Sequence, residues 1–324
     1  MKRNRVSSSS KKSLEGVLVI DKPTGISSYD VIRVVKKHLA SKRIGHTGTL
    51  DPLASGVLPV VLNGATKIVP FLDERVKGYE GTLRLGIVTD SDDCTGRVLR
   101  EVPLNESVLT ERRIRGVFEQ FVGKIKQVPP MFSAAKYYGT PLYALARKGI
   151  QVERRAREVE IFSLEIVRIG LPLVDFRVTC SRGTYVRTLS RQLGDAVNVG
   201  GHLCRLRRTR SGPFSLEQCV TLSEFEALVE AGQIERKIIP LRVALRGLPE
   251  IEIDGELGNR IKTGRQVFPR DLRGLRVPCL EKNQRVKILH QGKILAIAEA
   301  QLCHCDIEDE VLETPALSLL RVFA

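Results

Sequence analysis

The chain has 324 residues, with 52 Lys and Arg against 37 Asp and Glu, so its net charge at pH 7 is +15. This excess of positive charge favours a polyanionic partner such as a nucleic acid. No apolar run approaches the ~20 residues of a transmembrane helix, and the seven cysteines lack a disulfide-like spacing. These features exclude a membrane span and a disulfide scaffold, and we expect a cytoplasmic protein with reduced thiols.

The first segments predict a strand, a turn and a helix. Residues 1–14 are rich in serine and basic residues and lack the apolar core of a signal peptide, which predicts a disordered tail. The apolar run 16–20 predicts a buried strand that ends at the turn signal 21–25. Ser27 and Asp30 have the spacing of a capping box, so a helix is expected to begin there.

A glycine-rich loop follows this helix. Residues 45–60 read GHTGTLDPLASGVLPV and place one carboxylate, Asp51, ahead of an apolar run that predicts a strand over 57–62. Glycine permits tight turns and close approach of a ligand, and Pro52 biases Asp51 towards extended backbone. Asp51 is therefore a candidate catalytic residue; the alternative is an Asx turn in which it binds only local backbone.

The middle of the chain mixes strands and helices. Apolar and polar residues alternate over 173–180, which predicts a half-buried strand. Apolar positions at helical spacing over 186–197 predict a helix that ends at Gly200 and Gly201. Because no regular βαβ repeat is present, the sequence predicts an α+β fold.

The last quarter predicts a second, smaller domain. The pattern relaxes into a linker over 240–249, and short alternating runs then surround one short helix near 256–263. We therefore expect a small, mostly β appendage. The predicted organisation is a tail over 1–14, a catalytic domain over 15–245 and a C-terminal domain over 250–324.

Several segments, in order along the chain, resemble the motifs of the TruB family of tRNA pseudouridine synthases. They are DKPTGISS at 21–28, the loop at 45–60, KGYEG at 77–81, QVPPMFSAAK at 127–136, CSRGTYVR at 180–187 and LRRTRSGPF at 206–214. The resemblance spans residues 16 to about 215. The C-terminal region is similar, far more weakly, to a PUA RNA-binding domain.

The resemblance implies a fold and an activity. The fold is the pseudouridine synthase fold, with a central mixed, largely antiparallel sheet flanked by helices. The activity is isomerisation of uridine 55 in the TΨC loop of tRNA to pseudouridine, on a base flipped out of its stack. The implied partner is the TΨC stem-loop of tRNA, bound by a monomer that needs no partner protein. Since nothing is oxidised and no group is imported, we expect no cofactor and no metal.

The resemblance also assigns roles to individual residues. Asp51 is the nucleophile or general base, Arg187 is the cation that keeps it charged by lowering its pKa, and Tyr79 stacks on the flipped uracil. The further residues assigned to substrate binding are His46, Tyr185, Leu206 and Lys22. Without the resemblance, each has an ordinary structural role open to it: a surface charge for Arg187, a core aromatic for the tyrosines, a core leucine and a loop histidine.

Three further patterns bear on function. Seven arginines over 182–210 predict a phosphate track, the alternative being a solvated charged face. Cys303, His304 and Cys305 lack neighbouring ligands at zinc spacing, and the aspartates of 89–96 lack the glycine and glutamate positions of a calcium loop. The sequence therefore predicts no metal site.

Two alternative functions remain open from the sequence. One is a subunit that modifies RNA only inside a guide-RNA particle. The other is a non-catalytic factor that binds or folds tRNA on the same scaffold. Turnover of bare tRNA by the purified chain distinguishes both from a stand-alone enzyme.

Overall fold

The structure is a computed structural model that describes residues 14–39, 41, 43–72, 75–105, 107–303 and 313–323. The predicted tail, apart from Leu14, lies outside the described residues, as do His304 and Cys305. The strands are β1 (Gly16–Lys22), β2 (Ile44–His46), β3 (Ala54–Leu62), β4 (Val76–Leu85), β5 (Ile87–Thr89), β6 (Val98–Glu101), β7 (Gly123–Gln127), β8 (Lys136–Tyr137), β9 (Thr140–Pro141), β10 (Arg157–Gly170), β11 (Leu173–Ser181), β12 (Gly201–Ser211), β13 (Phe214–Ser215), β14 (Glu250–Ile253), β15 (Arg285–His290), β16 (Lys293–Ala300) and β17 (Leu317–Val322). The α-helices are α1 (Ser28–Leu39), α2 (Glu111–Gln120), α3 (Leu142–Ala146), α4 (Val186–Ala196), α5 (Leu222–Glu230), α6 (Leu241–Ala244) and α7 (Gly255–Lys262).

Nine of the described strands form one mixed sheet. Its main path runs β1-β3-β12-β4-β11-β10-β7, with β2 paired to β3 and β13 paired to β12. All of these pairs are antiparallel except β12 with β3. The predicted α+β class and the mixed, largely antiparallel sheet are confirmed.

The parallel pair at the centre of this sheet positions the glycine-rich loop. Leu206 of β12 lies opposite Ala54, the first residue of β3, and Arg208 lies opposite Gly56. Gly56 has a φ of +102°, and a Cβ there would overlap the backbone of Arg208. Glycine is therefore required where β3 pairs with β12. This pairing holds the end of the loop against the middle of the sheet.

The predicted local elements of the catalytic region are largely present. The Ser27 amide donates to the Asp30 carboxylate (3.0 Å) and the Asp30 amide donates to the Ser27 hydroxyl (3.2 Å), so the capping box at the start of α1 is confirmed. Strand β11 has the predicted alternation of buried and more exposed residues. Helix α4 ends at Ala196, earlier than predicted, because Asn198 already adopts a left-handed conformation with φ of 66°.

A second sheet, of four strands in the order β14-β15-β16-β17, encloses its own apolar core with α7. The predicted linker 240–249 lies directly before β14, the first strand of this sheet. It contains α6, and Ala244 and Leu245 are buried in a cluster that also holds Ile297 of β16. These apolar side chains pack the second sheet against the first, so the segment is part of a core. The predicted boundaries at 245 and 250 stay a prediction.

A helix that crosses a bilayer needs about 20 mostly apolar residues. Among the described residues, no helix is both long enough and apolar enough to cross a membrane.

Candidate active site

The loop between β2 and β3 carries Asp51 into a cavity of about 300 Å³. Backbone hydrogen bonds fix the loop: the Gly25 amide donates to the Pro52 carbonyl (2.7 Å) and the Ala54 amide donates to the Asp51 carbonyl (3.0 Å). The hydroxyl of Ser28 accepts from the Leu50 amide at 2.8 Å. The start of α1 therefore holds the loop at the residue before Asp51. The cavity is lined by Asp51, Tyr79, Tyr185, Arg187, Leu206 and Arg208, among others.

Asp51 forms an ion pair with Arg187. Arg187 Nε lies 2.9 Å from Asp51 Oδ2, and the arginine side chain is only 4 % exposed while that of Asp51 is 36 % exposed. Arg187 is the second residue of α4, so the start of that helix aims the guanidinium at the floor of the cavity. The carboxylate thus faces the open space and the guanidinium lies behind it. The structure brings together the predicted catalytic pair.

Three further acceptors hold the Arg187 guanidinium. Nη2 donates to the Phe132 carbonyl (2.7 Å), Nη1 donates to the Ser91 carbonyl (3.3 Å), and Asp93 Oδ2 lies 3.5 Å from Nη1. Asp93 is buried. Its other oxygen accepts from the hydroxyls of Ser91 (2.7 Å) and Thr95 (2.6 Å). Asp93 is therefore locked in place and positions Arg187.

Sequence reasoning missed the role of Asp93. It rejected the aspartates of 89–96 as calcium ligands and assigned no role to Asp93 itself. The signal that was present is the spacing of Ser91, Asp93 and Thr95, which is typical of a turn in which an aspartate accepts from neighbouring side chains and amides. That pattern predicts the turn, but it does not reveal that the free oxygen of Asp93 reaches α4.

The pKa of the Asp51 carboxyl is raised from its ordinary value, and burial by the cavity walls is the main cause. Arg187 and Lys22 lower this pKa, and the negative charge of Asp93 raises it. Arg187 therefore acts on this pKa in the expected direction, although the net shift is upward. The effect of burial on the pKa of Asp51 exceeds the opposing effect of the two cations.

Lys22 is the last residue of β1 and is fully buried. Its ammonium donates to the carbonyls of Pro23 (2.9 Å) and Ile26 (2.7 Å) and contacts that of Pro52 at 3.5 Å. Burial lowers its pKa to about 8, although the charge of Asp51 opposes that shift. Lys22 does not line the cavity, so a direct contact with substrate, as predicted, requires it to leave these carbonyls. In the structure it ties the turn after β1 to the loop that carries Asp51.

The aromatic and apolar residues predicted to hold uracil lie around the same cavity. Tyr79 stands on β4 opposite Arg208 of β12, and Leu206 is on the same face of β12 two residues earlier. Burial raises the pKa of the Tyr79 phenol, against the lowering effect of Arg208. The Tyr185 amide donates to the side chain of Gln127 at 2.9 Å. These residues meet in one place, and their roles towards a base stay predictions.

His46 lies at the end of β2, half-buried, opposite Val60 of β3. It is not among the residues that line the cavity around Asp51, although its neighbour Thr47 is. His46 is therefore at the rim of the site. Its predicted contact with RNA stays a prediction.

The seven arginines over 182–210 do not form a single track. Arg187 and Arg208 are buried. Two others are paired with carboxylates: Arg191 with Asp92 and Asp195, and Arg207 with Asp21. The exposed ones are Arg182, Arg205 and Arg210. The seven side chains therefore do not share one surface, because strand alternation and helix packing turn four of them to other uses. Phosphate binding by the exposed three stays a prediction.

Two of the larger cavities adjoin the site. One, of about 670 Å³, opens on the other side of Leu206 and contains none of the predicted catalytic residues. The other, of about 850 Å³, lies between the two sheets. It shares Arg182 with the Asp51 cavity and is also lined by Arg75, Arg210, Arg246 and Arg285. The chemistry-bearing residues converge in the Asp51 cavity, which is smaller than either of these and is the candidate active site.

A metal site needs several ligating side chains close together. In the described part of the chain, no three His, Cys, Asp or Glu side chains come together in a way that could hold a metal ion. The absence of a metal from the reaction stays an expectation.

Comparisons with known proteins identify similar chains. Residues 36–186 match the model of the TruB family pseudouridylate synthase N-terminal domain, and residues 187–246 match that of the tRNA pseudouridylate synthase B C-terminal domain. The chain is 42 % identical over 312 residues to tRNA pseudouridine synthase B of Geobacter sulfurreducens, covering 96 % of this chain and 100 % of that one. It is 43 % identical over 295 residues to tRNA pseudouridine synthase B of Burkholderia mallei, covering 90 % and 94 %.

A solved structure is similar as well. An H/ACA ribonucleoprotein bound to a substrate RNA containing 2'-deoxyuridine has a chain that aligns with a TM-score of 0.72 at 27 % identity. The alignment covers 95 % of this chain and 85 % of that one. The similarity therefore extends over both sheets.

Proposed function

The chain belongs to the TruB family of tRNA pseudouridine synthases, and on that premise we propose that it isomerises uridine 55 of the tRNA TΨC loop to pseudouridine. The observation that carries the proposal is the pair of Asp51 and the buried Arg187, 2.9 Å apart, at a cavity that Tyr79 also lines. An activated carboxylate beside an aromatic platform is what the reaction requires.

The isomerisation breaks the N1–C1' bond of uridine, turns the uracil and joins C5 to C1'. C5 then loses its proton and N1 gains one, so that atoms and charge balance. Asp51 is the group that acts on the sugar or the base, because its carboxylate is the one that faces the open cavity. Arg187 holds that carboxylate in place and opposes the effect of burial on its pKa. A charged carboxylate is thereby available where a buried one alone would tend to be protonated.

The target base must leave its stack to reach Asp51. The cavity of about 300 Å³ is at the lower end of the ~300–1,000 Å³ found for small-ligand sites, which suits a single nucleotide. Stacking of uracil on Tyr79 contributes about 1–3 kcal/mol and offsets much of the cost of flipping. Tyr185 and Leu206 lie on the same walls and limit how the base can turn. His46, at the rim, is placed to contact the RNA from which the base has left.

Basic side chains offer the RNA backbone a path away from this cavity. Arg182 lines both the Asp51 cavity and the cavity between the two sheets, where Arg210 is also exposed. Forked guanidinium donors bind phosphates well. We therefore assign the groove between the sheets to tRNA phosphates, and the mostly β C-terminal region to a PUA-like role as its second wall.

Removal of these charges is expected to weaken tRNA binding without stopping chemistry. Arg182→Ala and Arg210→Ala should each lower affinity and reduce the slope of log K against log salt by about 0.7–0.9 for every phosphate that is no longer neutralised. Affinity is measured by filter binding over a salt series. Arg177→Ala is the matched control, since Arg177 is an exposed arginine that pairs with Glu80 away from the groove. Equal salt slopes in all three variants contradict the assignment.

The alternative of a guide-RNA-dependent subunit has less support. The bacterial relatives named tRNA pseudouridine synthase B are 42–43 % identical to this chain, whereas the chain of the H/ACA ribonucleoprotein is 27 % identical. We therefore propose a monomer that acts in the cytoplasm on tRNA without a guide RNA or an obligatory partner protein.

The deciding experiment uses an unmodified tRNA transcript and the purified chain. Pseudouridine is mapped by reverse transcription after carbodiimide treatment, with Asp51→Ala assayed alongside. Conversion at position 55 by the native chain alone supports the proposal. Conversion at a different uridine contradicts the proposed site, and binding without conversion favours the guide-dependent or folding-factor alternatives.

A further inference from the structure

Arg208 is one of the largest fully buried side chains, although it is charged. Its guanidinium contacts carbonyls near both ends of the segment that carries Asp51. Nε donates to the Val57 carbonyl (2.7 Å), Nη2 donates to that of Gly48 (3.0 Å), and Nη1 contacts that of Thr49 at 3.5 Å. One side chain thus spans the base of the loop.

The same guanidinium reaches the aromatic residue of the site. Arg208 and Tyr79 are directly opposite each other on β12 and β4. Both side chains line the Asp51 cavity, and the charge of the guanidinium lowers the pKa of the Tyr79 phenol while burial raises it. The Asp51 loop and Tyr79 come from different parts of the sheet, and Arg208 contacts both.

The acceptors around Arg208 also distinguish it from an ordinary structural arginine. Among the described residues, its hydrogen-bond acceptors are the carbonyls of Gly48, Thr49 and Val57, with no carboxylate in ion-pair contact. A buried cation is costly when no opposite charge accompanies it. An apolar side chain would fill a core position at lower cost, so a reason other than packing is required.

We propose that Arg208 is a positioning residue that fixes the Asp51 carboxylate and the Tyr79 ring relative to each other. This inference rests on the proposed function, because it assigns Arg208 to the same reaction. The base stacks on one of the two residues and reacts with the other, so their separation determines whether the reacting atoms meet. A misplacement of about 1 Å can lower a rate about 10²-fold.

The main test replaces the forked guanidinium of Arg208 by an ammonium of the same charge. Arg208→Lys cannot donate to the carbonyls of Gly48 and Val57 at once, so kcat on a tRNA transcript is expected to fall about 10²-fold, while KM changes far less. Arg177→Lys is the matched control on β11 of the same sheet, where the arginine is exposed and its side chain pairs with Glu80. A rise in KM with kcat unchanged overturns the proposal and assigns Arg208 to RNA binding.

A double-mutant cycle separates positioning from a merely structural role. If Arg208 acts through Tyr79, Arg208→Lys should cost less kcat in a Tyr79→Phe background than in the native chain. Tyr79→Phe keeps the aromatic face and removes only the phenol oxygen, whose pKa the Arg208 charge lowers. Additive losses of kcat overturn the proposal.

Hydrogen exchange supplies a measurement that does not require an Arg208 variant to fold. Loss of the phenol oxygen in Tyr79→Phe should loosen Arg208 and speed amide exchange in residues 47–51, although Tyr79 is on another strand. Unchanged exchange in that loop overturns the proposal. This result is independent of turnover, so a native chain that fails to convert tRNA would contradict the proposed function and leave the link between Tyr79 and the loop testable.

Discussion

An Asp51→Asn chain is expected to bind tRNA and to lose pseudouridine formation by at least about 10⁴-fold, as is usual when the reacting side chain of an enzyme is removed. The reason is geometric. Asp51 is the carboxylate exposed to the cavity, whereas Asp93 is buried behind Arg187. Single-turnover conversion of a radiolabelled transcript measures the loss. Retention of more than about a hundredth of the native rate would sink the assignment of Asp51 as the reacting group.

The same substitution should not destabilise the fold. Burial raises the pKa of Asp51 in the folded chain, so the protonated carboxyl favours folding, and that contribution is lost as pH rises through the folded pKa. At neutral pH the ionised group therefore opposes folding, and an uncharged amide removes the penalty. Tm of Asp51→Asn at pH 7 is expected to equal or exceed that of the native chain, with a smaller advantage in acid. A clearly lower Tm at pH 7 contradicts the burial argument.

The raised pKa also predicts where activity is lost in acid. The carboxylate must be ionised to act, so kcat/KM of the native chain should fall with a midpoint above the ordinary aspartate value of 3.8. Asp93 contributes to this shift through its negative charge.

Much of the local structure around the site could be predicted because the sequence signals for it are local. The capping box before α1, the alternation of β11 and the helical spacing of α4 all depend on neighbours within a few residues. The resemblance then pointed to Asp51 and Arg187, and the structure pairs them. A resemblance to a family covers motifs that are distant in sequence and meet in the fold. The periodicity within one segment cannot reveal that they meet.

What could not be predicted depends on contacts between distant segments. Asp93 reaches Arg187 because its turn docks on β12, where Asp93 pairs with Leu203. The fate of each arginine on β12 depends on the period of two along a strand. Arg208 shares a face with Leu206 and faces the cavity, while Arg207 points the other way to Asp21. Unless β12 is identified as a strand, the sequence does not show which of its arginines face the cavity.

Arg187→Met is the second substitution with a large expected effect, and it should abolish conversion and destabilise the chain together. Methionine fills the volume of the arginine stem but leaves Asp93 buried without its cation. Breaking a buried ion pair in this way costs about 3–5 kcal/mol in the free energy of unfolding. Urea denaturation followed by circular dichroism measures the loss, and the conversion assay is run on the same preparation.

The matched control for this loss of stability adds a second substitution, which removes the unpaired charge of Asp93. Arg187→Met with Asp93→Asn should regain part of the free energy of unfolding, because the amide needs no counter-ion, yet it should remain inactive, because Asp51 still lacks its guanidinium. Recovery of stability without recovery of activity identifies Arg187 as the shared partner of Asp51, the carboxylate that reacts, and Asp93, the carboxylate that positions Arg187. If Arg187 were only a surface charge at the start of α4, Arg187→Met would change the free energy of unfolding by less than about 1 kcal/mol, and Asp93→Asn would restore nothing.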